Sequence, residues 1–165
     1  MGNGPSDGSR TLLSMLTTNQ RGLVAETAIL HECVKRGIGV SRPLDDEAYD
    51  LILDLRPTLL RVQCKSAGFH HDVVVIRCKR CRRGRNGMIH RTYRIGEIDA
   101  IAAHCAELDT SYLLPPEMSV GRAAVQLRIK PCRNNQQAGI NWARDFELGA
   151  TLERLQGPIA QLGER

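Results

Sequence analysis

Nowhere does the sequence hold the roughly 18 consecutive apolar residues that a membrane-spanning helix needs. Its opening, MGNGPSDGSR, lacks the charged-then-apolar order of a signal peptide. The six cysteines are not spaced as a disulfide framework, and a single Cys-x-x-Cys occurs. There is also no internal repeat. These absences argue against a membrane protein and against a secreted disulfide scaffold. The expectation is a cytoplasmic chain with reduced thiols. What is present in mild excess is positive charge: 23 Lys and Arg against 18 Asp and Glu, a net +5 and a pI near 9.1. That balance favours a polyanionic partner such as nucleic acid, although a solvated basic surface accounts for the same number.

The 165 residues suffice for one domain with its own core. Residues 1–17, rich in Gly and Ser at their start, are expected to be flexible. Residues 18–148 form the expected folded domain and 149–165 an expected flexible tail. From residue 18, TNQRGLVAETAILHECVKRGIGV reads as a helix, with Asn19 able to cap it and Gly37 ending it. YDLILDL, LLRVQCK and DVVVIRC are aliphatic runs of strand length, and the first two flank a short RPT connection suited to an antiparallel pair. KRCRRGRNG reads as a basic loop, MIHRTYRI as a further strand, GEIDAIAAHCAEL as a helix and TSYLLP as a short strand. A polar loop, RNNQQAGINWARDFEL, leads into a last short helix. A helix followed by a meander of strands predicts an α/β or α+β fold.

The chemistry concentrates in the first two strands. Side chains alternate along a strand, so Gln63 and Lys65 share a face and Cys64 takes the other. With the turn near Pro57, Asp50 returns beside that pair, bringing a carboxylate, an amide and an ammonium to one place. Such groups suit phosphodiester hydrolysis, which needs oxygen ligands for a divalent cation and a positive group at the phosphate. Asp54 shares the Asp50 face and competes with it. On the helix, Glu26 lies three residues after Leu23 and three and four before Ile29 and Leu30, on or beside the apolar stripe. A lone buried carboxylate is costly, so Glu26 either meets a partner or metal, or flanks the stripe and reaches solvent or an arginine.

AYDLILDLRPTLLRVQCKSA, preceded by QRGLVAETAIL, resembles the PD-(D/E)-x-K nuclease superfamily. Within it, the pattern D-x(12)-Q-x-K is similar to the branch of group I intron homing endonucleases in which Gln replaces the usual acid. The resemblance spans roughly residues 19–116. Tyr49 stands where the superfamily's name has Pro, and Gln63, a neutral and weaker ligand, where most members have Asp or Glu. The resemblance implies a restriction-endonuclease-like α/β core, a mixed β-sheet flanked by helices. It implies catalytic roles for Glu26, Asp50, Gln63 and Lys65. Asp50, Glu26 and Gln63 would hold or adjoin Mg²⁺, for which Mn²⁺ can substitute, and Lys65 would act on the water or phosphate. The implied activity is site-specific cleavage of double-stranded DNA, by a homodimer or homotetramer, within the nucleoid. A Holliday-junction resolvase or repair nuclease of the same fold, and a catalytically silent DNA-binding domain, are the alternatives.

Lys79, Arg80, Arg82, Arg83 and Arg85 crowd the basic segment and are the expected DNA contacts. Cys78 and Cys81 have the spacing of half a zinc site, to which His104 and Cys105 could add, against incidental cysteines in a hairpin. His70 and His71 sit either near the scissile phosphate or in a surface turn. The amides of NNQQAGINW suit base edges or a plain loop anchored by Trp142. IAQLGER, written in suitable codons, reads like the D-arm of a transfer RNA gene, as for a reading frame borne in or beside one.

Overall fold

The computed structural model describes residues 12, 14–131 and 138–157. The expectations for residues 1–11, for the amides at 134–137 and for IAQLGER fall outside them. In chain order the described elements are helix α1 (Thr18–Lys35), β1 (Gly39–Ser41), β2 (Leu51–Asp54), β3 (Leu59–Ser66), β4 (Gly68–His70) and β5 (Val73–Arg77). Then come β6 (Lys79–Gly84), β7 (Gly87–Thr92), β8 (Ala100–Cys105), β9 (Thr110–Leu114), α2 (Pro116–Ser119), β10 (Ala124–Arg128), a 3₁₀ turn (Ala143–Phe146) and α3 (Leu148–Gln156).

Thr17, rather than Asn19, caps α1. Its Oγ1 accepts from Gln20 N at 3.2 Å, and Gln20 Oε1 accepts from Thr17 N at 2.8 Å, so two helix-end N–H groups are satisfied reciprocally. Gly37 ends the helix as expected: at φ 74° it adopts a backbone that favours glycine, while Ile38 N bonds back to Cys33 O at 3.1 Å. The buried stripe is Ala25, Ile29 and Cys33, and Leu23 is exposed, so the apolar face is rotated from the one Leu23 suggests.

A five-stranded mixed sheet runs β1-β2-β3-β8-β9, antiparallel except for the parallel β3–β8 pair. One face packs Leu51, Leu53, Val62 and Cys64 against Ile29 and Cys33 of α1 and Leu148 and Leu152 of α3. Each such side chain, fully buried, contributes about 1.5–3 kcal/mol. The other face packs Ile101, Ala103, Tyr112 and Leu114 against Val74, Ile76 and Leu127 of a second sheet, β10-β5-β4. The restriction-endonuclease-like α/β core is therefore present, with helices on one face and strands on the other.

Three segments differ from their sequence reading. GEIDAIAAHCAEL supplies β8 instead of a helix: all six residues Ala100–Cys105 are buried between two layers, and a central strand of this kind has no alternation to betray it. The basic segment is not a loop but half of an antiparallel ribbon, β6 against β7. The tail expected from residue 149 starts as helix α3, held by buried Leu148, Gly149 and Leu152.

Candidate active site

Asp50 precedes β2, where its N–H donates to Val62 O at 2.9 Å. That bond places its carboxylate at the C-terminal part of β3. Asp50 Oδ2 accepts the Cys64 backbone N–H at 2.8 Å and the Gln63 Nε2 amide. Gln63 and Lys65, both half-buried, alternate with buried Val62 and Cys64, so they share the face predicted for them. The parallel pairing of Gln63 with Ile101 and Lys65 with Ala103 fixes this end of β3 in the middle of the sheet. Asp50, Gln63 and Lys65 are thus brought together. Asp54 is not: it lies at the far end of β2, accepting from Arg56 N at 3.0 Å.

Burial pushes the Asp50 carboxyl above its usual range, against the opposing pull of the Cys64 N–H, Lys65 and Gln63. Burial likewise draws Lys65 below the usual lysine range, against the attraction of Asp50. Both charged forms are therefore disfavoured by the fold and favoured by each other. Lys65 Nζ donates to Lys79 O at 3.2 Å and stands 5.5 Å from the centroid of the Tyr93 ring.

Glu26 reaches the site from α1. It and Asp50 line two adjoining clefts of about 210 and 400 Å³, the first walled by Arg42 and residues of the 43–49 segment, the second by Asn19, Gly22 and Cys64. Glu26 Oε1 pairs with Arg42 Nη2 at 2.7 Å, so of the alternatives open to this carboxylate it takes the arginine partner. Among the described residues no group of three His, Cys, Asp or Glu gathers to hold a metal ion. Two carboxylates facing one cleft, beside an amide, nevertheless suit Mg²⁺, which takes one or two carboxylates and keeps several waters.

The zinc reading fails. Cys78 is buried in the core with Sγ directed to Ile76 O, and His104 is buried against Ser111 Oγ at 3.0 Å. Among the cysteines of the described residues Cys81 alone is exposed, its Sγ 2.9 Å from His90 Nδ1 across the ribbon. His70 ends β4, and His71 at φ 48° makes the surface turn to β5.

The ribbon begins at Lys79 beside Lys65, and Gly87–Ile89 are exposed out to its tip, so it stands free of the core. Lys79, Arg83 and Arg85 are exposed. Arg80 is committed elsewhere: its Nη2 binds Asp46 Oδ1 at 3.1 Å and Glu47 O at 3.0 Å, tying the ribbon to the loop that walls the cleft. The ribbon's base is further held by Arg91, whose bidentate pairing with Glu97 at 2.6 and 2.8 Å holds that carboxyl down at about 2. Sequence reasoning missed Arg42 and Tyr93. Arg42 leaves no local signal, whereas Tyr93 is a lone aromatic between polar neighbours at the ribbon's end.

None of the curated proteins compared matches the chain. Among solved structures, a bacterial homing endonuclease, I-Ssp6803I, shares the fold with a TM-score of 0.67 and 26% identity, over 88% of this chain and 98% of that one. A family model described as PD-(D/E)XK endonuclease matches residues 16–149, a span that contains Glu26, Asp50, Gln63, Lys65 and the whole ribbon. The chain belongs to the PD-(D/E)XK endonuclease family.

Proposed function

We propose that the protein is a site-specific, intron-homing type of endonuclease that hydrolyses both strands of a DNA duplex. Members of the family generally use divalent metal ions; here Asp50 and Glu26, with Gln63 beside them, would hold Mg²⁺ or Mn²⁺. The observation that carries the reading is the meeting of Asp50, Gln63 and Lys65 at the root of an exposed basic ribbon. It is supported by the likeness to a homing endonuclease.

In this reading the ribbon enters the major groove, whose width admits a two-stranded β-ribbon. Lys79, Arg83 and Arg85 neutralise phosphates or read base edges, with Arg80 bracing the ribbon's base. The scissile phosphate then lies over Lys65, whose ammonium offsets the charge that builds on the phosphorane. Asp50 and Gln63 orient the attacking water, and a P–O bond of the backbone breaks as the water oxygen bonds to phosphorus. A bound divalent ion supplies Lewis-acid stabilisation of that charge. One such site cuts one strand, so a homodimer or homotetramer supplies the second. The host DNA would be nucleoid DNA in the cytoplasm, and the target a transfer RNA gene that lacks the group I intron in or beside which the reading frame is borne.

The Glu26–Arg42 ion pair favours a second reading, a DNA-binding domain without cleavage, because it occupies one proposed metal ligand. Cleavage of a pooled library of intronless transfer RNA genes, with Mg²⁺ or chelator, separates the two. We expect metal-dependent cutting at one sequence, lost in Lys65→Ala and Asp50→Ala. Tight, salt-sensitive binding without cutting would establish the second reading, and sequence-independent cutting of four-way junctions would point to a resolvase.

A further inference from the structure

The Lys65 ammonium is held from two sides by a single element. Lys79, whose carbonyl accepts from Lys65 Nζ at 3.2 Å, is the first residue of β6. Tyr93, whose ring centroid lies 5.5 Å from the same nitrogen, directly follows the last residue of β7. Lys79 pairs with Thr92 in the ribbon, so the two groups are neighbours across its root. An ammonium within about 6 Å of an aromatic face is attracted by the ring quadrupole.

Core packing, without a hydrogen bond, orients Tyr93. The residue is 1% exposed and belongs to the buried core cluster that also holds Val74 and Ile98. Its hydroxyl is the one buried side-chain polar atom among the described residues with no hydrogen-bond partner. Nothing polar therefore anchors the ring's far end, and the bare hydroxyl is a cost to the fold rather than a support.

We propose that the root of the β6–β7 ribbon is a clamp for Lys65, in which Tyr93 is a positioning residue acting through its ring. The proposal rests on the nuclease reading of Lys65 and adds the device that sets the ammonium's place. It also ties the DNA-engaging ribbon to the chemistry: the carbonyl and the ring that locate Lys65 stand at the ribbon's root, the part that Arg80 and Arg91 hold in place. A 1 Å misplacement of such a group can cost on the order of 10²-fold in rate.

The test joins NMR of Lys65 to cleavage kinetics in the full chain. With lysine side chains labelled, the Lys65 ε-methylene signals, assigned by their loss in Lys65→Arg, are expected to be displaced by the Tyr93 ring current. That displacement should persist in Tyr93→Phe and vanish in Tyr93→Leu. Tyr93→Phe should melt at or above the wild-type temperature, since it only removes the unpartnered hydroxyl, and should keep most of kcat. Tyr93→Leu should lower kcat on the order of 10²-fold with KM for DNA unchanged. Lys65 signals at the position of exposed lysines in the wild type overturn the clamp, even if Tyr93→Leu fails to fold. So does a Tyr93→Leu protein that cuts like the wild type, or one whose loss lies wholly in KM. A wild type that cuts no DNA would end the nuclease reading instead, and the Lys65 shift would still decide the clamp.

Discussion

Two antiparallel strand pairs in this protein look alike in outline and are opposite in use. The β2–β3 hairpin and the β6–β7 ribbon are each joined by a short turn and each carry charged residues. In β2 burial alternates strictly, and in β3 Val62 and Cys64 are sunk in the core between Gln63 and Lys65. In β7 neither face is covered over its first four residues. The first pair therefore holds its polar groups to fixed positions by packing, as an active site requires. The second has only its root tied down, through Arg80 and Arg91, and its outer part is left to meet a partner. The contrast teaches that basic side chains alone do not mark function here; what their opposite face touches does.

The largest effect should come from breaking the first pair. Asp50→Asn keeps an oxygen to accept the Cys64 N–H but removes the charge, and should lower cleavage on the order of 10³-fold. It should also raise stability. The folded state lifts the Asp50 pKa above its unfolded value, so the favourable increment is fully present below about 3.8 and is lost as pH rises through the folded value. At neutral pH the wild type has lost it, and Asn restores a neutral group. Each ~1 kcal/mol regained would shift Tm by about 2–4 °C. Thermal melts at pH 3.5 and pH 7 measure this: the gap between variant and wild type should open only at the higher pH. A variant less stable than the wild type at pH 7 would mean that Asp50 is structural.

The same contrast explains what the sequence disclosed. A strand packed on one side leaves alternation in its residues, so Asp50, Gln63 and Lys65 could be placed on one site from YDLILDL and LLRVQCK alone. A ribbon covered on neither side leaves no alternation, and KRCRRGRNG reads as a loop. A strand covered on both sides leaves none either, so DAIAAHC reads as a helix although it forms the interior strand β8. Glu26 was visible on its helix, but its Arg42 partner comes from beyond β1 and follows no local rule. Tyr93 could be seen only once the ribbon's register brought its ring to Lys65.

A middle-sized effect should come from the ribbon. Replacing Arg83 and Arg85 together with Gln should leave the melting temperature within about 4 °C, since surface changes of this kind are usually worth less than ~0.5 kcal/mol each. DNA binding should weaken by roughly 10-fold at moderate salt. The slope of log affinity against log salt should flatten by about 1.8, near 0.9 for each phosphate that is no longer neutralised. Fluorescence anisotropy over a salt series reads both. An unchanged slope would move the DNA-binding surface off the ribbon and leave its charges simply solvated.

The smallest expected effect lies between the two regions, at Arg42. Its guanidinium holds Glu26 at 2.7 Å, and its positive charge also helps keep Asp50 ionised. A divalent cation entering the cleft must compete with both influences. Arg42→Gln frees the Glu26 carboxylate and makes the cleft more negative, so Mg²⁺ should bind more tightly. The gain is modest because Arg42 is 52% exposed and the pair is screened by solvent. Pairs of this kind correspond to about a 1.5- to 5-fold change in affinity. Calorimetric titration of Mg²⁺ into the DNA-free protein measures it without reference to cleavage. Weaker binding in Arg42→Gln would show that the arginine presents Glu26 to the metal instead of withholding it, and the cleft would then be a preformed site like the packed face of β3.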